Sequence, residues 1–226
     1  MSLSSYLDKM PENQKEIYYI SAETRSQALA SPHLEGFKSK NIPVLIMTDA
    51  IDQFWLPMIG SFKDKKFTSI TQGQINLDDL DEKNKDKKSE NKDQKEKQDK
   101  EFVDLIAQMK VVLGEQVKDI RLSSKLTDSP VCLVADDGDM DIAMEQLMAQ
   151  RDTNYKGAPR ILEINGDHSL IKNMKSLLSK KENNDLVSDA GTLLFEQARL
   201  LEGKMPADPA QFSKIMNQFL IKAIPE

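Results

Sequence analysis

The sequence predicts an α/β protein in two parts: a small three-layer sandwich, followed by an α+β domain that ends in a helical dimerisation bundle. Three observations support this. The first 80 residues alternate strand and helix patterns, and the last 60 carry three amphipathic helices. A third is a charged segment at residues 81–101, DEKNKDKKSENKDQKEKQDKE, which contains no apolar residue and separates the two parts. We therefore expect domains at 1–80 and 102–226, joined by a linker at 81–101.

The composition excludes several classes of protein. The 226 residues hold 31 Lys+Arg against 37 Asp+Glu, a formal net charge of −6 that disfavours nucleic-acid binding. With one cysteine and two histidines, an intrachain disulfide is impossible and a zinc site is not expected. The longest apolar runs are far too short to span a membrane, and the N-terminus has no signal-peptide pattern, so we expect a soluble, cytoplasmic protein.

The first part has a β-α-β-α-β pattern. Residues 16–21 and 43–48 are rich in β-branched and aromatic side chains, and the second run is apolar on both faces, as in an interior strand of a parallel sheet. Ser31 followed by Pro32 is typical of a helix start, with the helix expected to reach about residue 40. A helix at about 50–60 and a strand at 66–71 complete the pattern, which implies right-handed crossovers.

The second part mixes strands and helices. The linker is expected to be disordered at its start and helical toward its end, leading into a helix that Gly114 terminates. Strands are expected at 117–123, 130–135 and 160–165, with a short helix at 140–150 between the last two. Of the three final helices, Asp167 is expected to cap the first, Gly203 to end the second, and Asp208 with Pro209 to open the third.

No arrangement of residues predicts catalysis. Asp49 and Asp52 follow a strand, where carboxylates can hold Mg²⁺, so a small Mg-dependent enzyme is one alternative; capping of the next helix is favoured. His33 and His168 each lie at a helix start, and Cys132 lies within an apolar strand, where it should be a buried hydrophobic residue. We therefore predict no catalytic residues and no metal ligands.

Two features suggest binding of other polypeptides. Met140, Met144, Leu147 and Met148 share one helix face, and Met-rich faces adapt to varied partners, although such a stripe is more often part of a core. The aromatic pair Phe54 and Trp55 cannot point into one core together.

The last two helices carry broad apolar faces that favour a homodimer closed as a four-helix bundle. The alternative is packing within one chain. The residues expected at the dimer interface are Leu186, Ala190, Leu193, Leu194, Leu201, Phe212, Ile215, Met216, Phe219 and Leu220.

Several motifs together resemble the ninety-kilodalton heat-shock chaperone family, most closely its bacterial branch. They occur in family order over nearly the whole chain: YLDKM at 6–10, QKEIYYI at 14–20, SPHLE at 31–35, VLIMTD at 44–49, ID at 51–52, VKDIRLS at 117–123, LTDSP at 126–130, LEIN at 162–165, DH at 167–168, DP at 208–209 and MN at 216–217. The chain departs from the family pattern at Gly166, where Pro is common, and at Ser124-Lys125, where His-Arg is common.

The resemblance implies a C-terminal fragment, made of the end of the middle domain and the dimerisation domain. It implies that the Met140–Met148 helix and Phe54 contact unfolded client proteins and that the last two helices form the homodimer. Because the family's ATP pocket and catalytic arginine loop lie in earlier domains, it also implies that this fragment is not an enzyme and binds no cofactor, with ATP and Mg²⁺ held elsewhere in the parent. A purely structural dimerisation tail is the remaining alternative.

Overall fold

The computed structural model describes residues 2–80, 88–151, 155, 157–178 and 184–224. Along the chain the elements are α1 (Leu3–Leu7), β1 (Glu16–Ser21), α2 (Arg25–Ala30), a 3-10 turn (Pro32–Leu34), α3 (Glu35–Ser39), β2 (Leu45–Met47), α4 (Asp52–Ile59), β3 (Ser61–Phe62), β4 (Lys65–Ser69), a 3-10 turn (Leu77–Leu80), α5 (Lys88–Leu113), a 3-10 turn (Gly114–Gln116), β5 (Val117–Leu122), β6 (Val131–Val134), α6 (Ile142–Arg151), β7 (Arg160–Ile164), α7 (Ser169–Leu178), α8 (Asn184–Leu201) and α9 (Pro209–Ala223). Within these ranges, no helix has the length and apolar character needed to cross a membrane.

The first lobe, residues 2–80, is built on a four-stranded sheet in the order β2-β1-β4-β3. β1 lies parallel to both β2 and β4, and the short β3 pairs antiparallel with β4. The prediction that residues 43–48 form an interior strand is wrong, because β2 is an edge strand and β1 is central. Apolar content misled the prediction, since it reports burial by helices rather than the number of paired neighbours.

Helices cover both faces of this sheet, as the α/β pattern predicted. One apolar cluster joins Tyr18 and Ile20 of β1 to Phe37 of α3, and a second on the other face joins Ile17 to Tyr6 and Leu56. Alternate residues of β1 therefore point into different cores, as the period of a strand requires. The result is a three-layer α/β arrangement.

The second lobe, residues 88–224, is built on a three-stranded sheet in the order β5-β7-β6. The central strand β7 is parallel to β5, antiparallel to β6, and buried along its whole length. Helices α5, α7 and α8 pack against it through one core that includes Phe102, Leu105, Leu162 and Leu194. α5 begins at Lys88 and continues without a break to Leu113, so the part of the predicted linker at 88–101 is helical, while residues 81–87 lie outside the described residues.

The helix ends match the sequence prediction in part. Asp208 Oδ1 accepts hydrogen bonds from the backbone N–H groups of Ala210 and Gln211, and Gly203 follows α8 with a φ of 76°. The prediction that Asp167 caps α7 is wrong: His168 Nδ1 accepts from Leu170 N at 3.1 Å, while Asp167 pairs with Lys172. A neutral imidazole nitrogen can cap as a carboxylate does, and the neighbouring carboxylate is then free to reach the next turn.

Candidate functional site

An open groove lies between the two lobes. The side chains of α6 form one wall, including Ala143, Gln146 and Leu147, and the opposite wall is the chain around Thr48–Gln53 in the first lobe. Its volume is about 260 Å³, enough for a few side chains of a bound segment. The helix that carries the Met stripe therefore faces the segment that leads into α4.

Of the predicted client-binding residues, Leu147 lines this groove and the others do not. Met140 is 39% exposed but lies two residues before α6, so the prediction that it belongs to the helix is wrong; Met144 and Met148 lie on α6 and are half-buried. The α6 stripe is thus neither a closed core nor fully open.

The aromatic pair of α4 is also half-buried. Trp55 packs edge-on against Phe67, with ring centroids 5.8 Å apart, and donates its indole N–H to Asp52 Oδ1 at 2.7 Å. Phe54 is half-buried as well, while the neighbouring Met58 is 86% exposed. Trp55 is therefore partly a core residue of the first lobe.

The structure corrects the roles of Asp49 and Asp52. α4 begins at Asp52, and its N-cap Ile51 makes no side-chain cap, so Asp49 does not cap this helix. Asp52 instead accepts a local hydrogen bond at each carboxylate oxygen: Oδ2 accepts from Asp49 N and Oδ1 from the Trp55 indole N–H. Among the described residues, no group of three or more His, Cys, Asp or Glu could hold a metal ion.

A polar junction fixes the walls of the groove relative to each other. Glu35 of the first lobe accepts hydrogen bonds from the backbone N–H groups of Thr127, Asp128 and Ser129 and from the Ser129 hydroxyl. Burial alone would raise the pKa of Glu35, but these bonds outweigh it and hold the pKa below its ordinary value. The Glu35 carboxylate thus acts as a latch between the lobes.

A second set of contacts lies at the other end of the junction. Asp141, just before α6, accepts from the hydroxyls of Ser69 and Thr71 at 2.5 and 2.8 Å. Lys125, only 1% exposed, donates from Nζ to the Ile70 carbonyl at 2.8 Å and lies 3.9 Å from Glu163. Lys125 therefore joins the lobes from a buried position, although no sequence pattern predicted a structural cation there.

Behind the groove, a smaller cavity of about 60 Å³ lies at the same junction. Its lining includes Ser21 and His33 of the first lobe and Cys132 and Glu202 of the second. Burial, with Lys125 nearby, lowers the pKa of His33, whereas burial raises the pKa of Glu202 to about 7 despite Lys204 and Arg160. Burial also raises the pKa of the Cys132 thiol, in agreement with its prediction as a buried hydrophobic residue.

The polar residues of the junction were missed by sequence reasoning. Glu35, Lys125, Asp141 and Glu202 occur in unremarkable local patterns, and their partners lie 55 to 94 positions away for the first three. The only available signal was that Glu35 ends the SPHLE motif. Spacing along the chain carries no information about such distant pairs.

The predicted dimer residues fall into three groups. Ala190, Leu194 and Ile215 are buried within the chain. Leu186, Leu193, Phe212 and Phe219 are half-buried, and Leu201, Met216 and Leu220 are 40–50% exposed. Ile221 and Ile224, which the prediction omitted, are each 73% exposed. α8 and α9 therefore pack partly on their own chain and keep an apolar surface open.

The fold therefore consists of two α/β lobes that a polar junction holds together, with an open groove between them. The family model described as Hsp90 protein matches residues 1–225, and the chain belongs to the Hsp90 family. Its relatives include proteins described as chaperone protein HtpG from Roseobacter denitrificans (40% identical over 225 residues, 99% of this chain), Coxiella burnetii (38%, 98% of this chain) and Streptomyces coelicolor (36%, 95% of this chain). The chain spans about a third of their length, with 36%, 33% and 33% of each relative covered.

This match corrects two expectations. The chain was expected not to be an enzyme and to have no cofactor. The Hsp90 family match over residues 1–225 overturns both expectations, because membership of this chaperone family gives no ground for excluding an enzymatic role or a cofactor. The described residues contain no cluster of three or more His, Cys, Asp or Glu that fits Mg²⁺.

Proposed function

We propose that this chain is the client-binding and dimerising part of an ATP-dependent chaperone, corresponding to the end of the middle domain (1–80), a charged linker (81–101) and the C-terminal dimerisation domain (102–226). Support comes from the family motifs, which follow one another in family order. The observation that carries the client-binding role is the groove in which α6 faces the segment leading into α4.

The mechanism is reversible burial of a client's apolar surface. Exposed apolar side chains occur on the same segments of the chain as the groove: Ile51 before α4, Met58 and Ile59 at the end of α4, and Met140 just before α6. Covering one side chain of this size contributes about 1.5–3 kcal/mol at most, so several weak contacts give a reversible complex. Met144, Met148, Phe54 and Trp55, all half-buried, need only small rotations to increase their contact with a client.

The homodimer is proposed to close through α8 and α9. Met216, Leu220, Ile221 and Ile224 are exposed along or just after α9, and Leu201 is exposed at the end of α8. A second copy would cover these residues, and two such helix pairs make a four-helix bundle. Ala190, Leu194 and Ile215 would then support the interface from inside each chain.

The client-binding proposal predicts that Met144→Asp weakens chaperone activity. Met144 follows Ala143, which lines the groove, and a carboxylate at this position of α6 must lose its hydration when a client's apolar surface covers the helix, which is unfavourable. We expect about tenfold more protein to be needed to suppress aggregation of a chemically unfolded model protein, measured by light scattering.

The matched control is Val111→Asp. Val111 is 79% exposed on α5, a helix that contributes no residue to the lining of the groove, so the same change of charge there should leave the activity unaltered. Circular dichroism verifies that both variants fold. Equal activity of Met144→Asp and the unmodified chain would contradict the client-binding role and favour a purely structural dimerisation tail.

A further inference from the structure

The small cavity behind the groove contains polar atoms that nothing in the described chain satisfies. Ser21 Oγ, His33 Nδ1 and both carboxylate oxygens of Glu202 are buried and have no hydrogen-bond partner among the described residues. The residue exposure of His33 is 6% and the side-chain exposure of Glu202 is 8%. Buried polar groups in proteins are almost always paired, so three such groups around one cavity indicate a missing ligand.

The cavity has apolar walls and opens toward the outside. Its walls include Ile20, Ala28, Leu133 and Ala198. Gln27, Gln146 and Glu202 line both this cavity and an outer groove of about 330 Å³ along α6. Glu202 therefore lies where the inner cavity and the outer groove meet.

The lining of the outer groove carries more acidic than basic side chains, and Glu202 is also influenced by Arg160 and Arg199. Among the described residues that line the outer groove, the charged ones are Glu23, Glu145 and Glu202 against Lys204. Glu145 already binds Arg160 at 2.6 Å and Lys204 at 3.0 Å. Lys204 Nζ lies 3.7 Å from the nearer oxygen of Glu202, beyond hydrogen-bond distance, so Glu202 keeps its accepting capacity.

The other two groups can also accept. Burial, with Lys125 nearby, lowers the pKa of His33, which is therefore neutral at neutral pH. His33 is hydrogen-bonded to the backbone of Leu133, and because Nδ1 has no partner, the remaining nitrogen, Nε2, makes that bond. The unpaired nitrogen is thus an acceptor, and the Ser21 hydroxyl accepts as readily as it donates.

We propose that this cavity takes the side chain of a lysine from a bound client segment, with its methylene groups against the apolar walls and its ammonium group at Glu202, Ser21 and His33. The inference rests on the proposed client-binding function and gives it a specificity. An ammonium group has three donors and no acceptor, which matches a carboxylate, an imidazole nitrogen and a hydroxyl. Because the cavity shares Gln27, Gln146 and Glu202 with the outer groove along α6, we assign the amine to a polypeptide side chain rather than to a free small molecule.

The test compares two fluorescently labelled apolar peptides of about ten residues. They differ at one central position, which is lysine in one peptide and norleucine in the other. We expect the lysine peptide to bind the unmodified chain about tenfold more tightly by fluorescence anisotropy, as a desolvated charge-assisted contact allows. Glu202→Gln keeps the size of the side chain but removes its charge, and should abolish this preference. Glu115→Gln, at an exposed acid outside both cavity and groove, is the matched control and should keep it.

The outcomes separate the inference from the function on which it rests. If both peptides bind the unmodified chain equally, and Met144→Asp weakens both, client binding stands and the lysine site is overturned, with ordered water left as the occupant of the cavity. If neither peptide binds, the proposed function is overturned and the lysine site with it. If butylamine raises the melting temperature of the unmodified chain but not that of the Glu202→Gln variant, while the two peptides bind equally, the assignment to a client side chain is also overturned.

Discussion

At the scale of single residues, two carboxylates of the junction, the half-buried Glu35 and Glu202, show opposite responses to their surroundings. Glu35 is held below its ordinary pKa because four donors outweigh the effect of burial, whereas burial raises the pKa of Glu202 to about 7 from an ordinary 4.5. The difference lies in the donors, since Glu202 has no hydrogen-bond donor among the described residues. One carboxylate therefore stabilises the junction when it is ionised, and the other destabilises it.

Glu202→Gln should make the chain more stable at alkaline pH. Because the folded-state pKa of Glu202 is raised, its contribution to stability is fully present below pH 4.5 and is lost as the pH rises to 7. The glutamine variant does not lose it, and should be more stable by about 2 kcal/mol at pH 8, with the difference disappearing near pH 4.5. Urea unfolding at a series of pH values measures this.

Glu35→Gln provides the contrasting case. Its lowered pKa gives stability that is present above pH 4.5 and lost as the pH falls through the folded-state value, so this variant should be less stable than the unmodified chain by about 1–2 kcal/mol at pH 7.

If the stability of the Glu202→Gln variant follows the same pH curve as that of the unmodified chain, the raised pKa of Glu202 is refuted.

At the scale of elements, the groove depends on close contact between α3 and the chain before β6. Gly36 of α3 lies against the backbone of Lys125, and a Cβ at this position would be 2.6 Å from the Lys125 carbonyl oxygen and 2.7 Å from Leu77 Cδ1. The first of these atoms is backbone and cannot rotate away. Because Gly36 has no side chain, the hydrogen bonds of the Glu35 latch and those of the buried Lys125 can form next to each other.

Gly36→Ala should force these elements apart. We expect a loss of about 1–3 kcal/mol in the free energy of unfolding, as in other overpacked sites, measured by urea denaturation. Gly138→Ala is the matched control, since a Cβ there meets nothing within 4 Å and the φ of Gly138 is not positive. Equal stability of the two variants would mean that the junction can shift to accept a methyl group.

At the scale of the whole molecule, the two lobes act as one body whose apolar surfaces remain open at the groove and at α9. The junction is built from hydrogen bonds, several of them to charged groups, which fix geometry, while the exposed residues along α9 form a surface that a second chain would cover. The polar contacts thus set the shape, and the apolar surfaces are left for partners.

Replacing Leu220 and Ile221 together by Asp should prevent dimer formation. Two carboxylates per chain at the proposed interface would have to be desolvated, so analytical ultracentrifugation should give the mass of one 25.6 kDa chain rather than twice that value. Deletion of residues 208–226 should have the same effect, and Gln218→Asp, at an exposed polar position of α9, should not. A dimer that persists in the double variant would place the interface elsewhere.

Much of the fold could be predicted because it depends on local patterns. The run of aromatic and β-branched residues at 16–21 placed β1, the strands of the second sheet were found within one or two residues, and the caps at Asp208 and Gly203 were correct. The errors came from context: β2 is at an edge, the 3-10 turn at Pro32–Leu34 precedes a short α3, and α7 is capped by His168. Sequence periodicity reports which residues are buried, but not how many neighbours a strand has.

The sequence by itself determined the α/β class, the order of the elements, the Met stripe and membership of a chaperone family, because each is encoded in residues close together along the chain. Only the tertiary structure decided that Glu35, Lys125 and Asp141 lock the two lobes together, and that Ser21, His33 and Glu202 surround one cavity. The physical reason is distance along the chain. Hydrogen bonds and ion pairs act over a few ångströms, and chain folding alone brings residues that are tens to well over a hundred positions apart within that range.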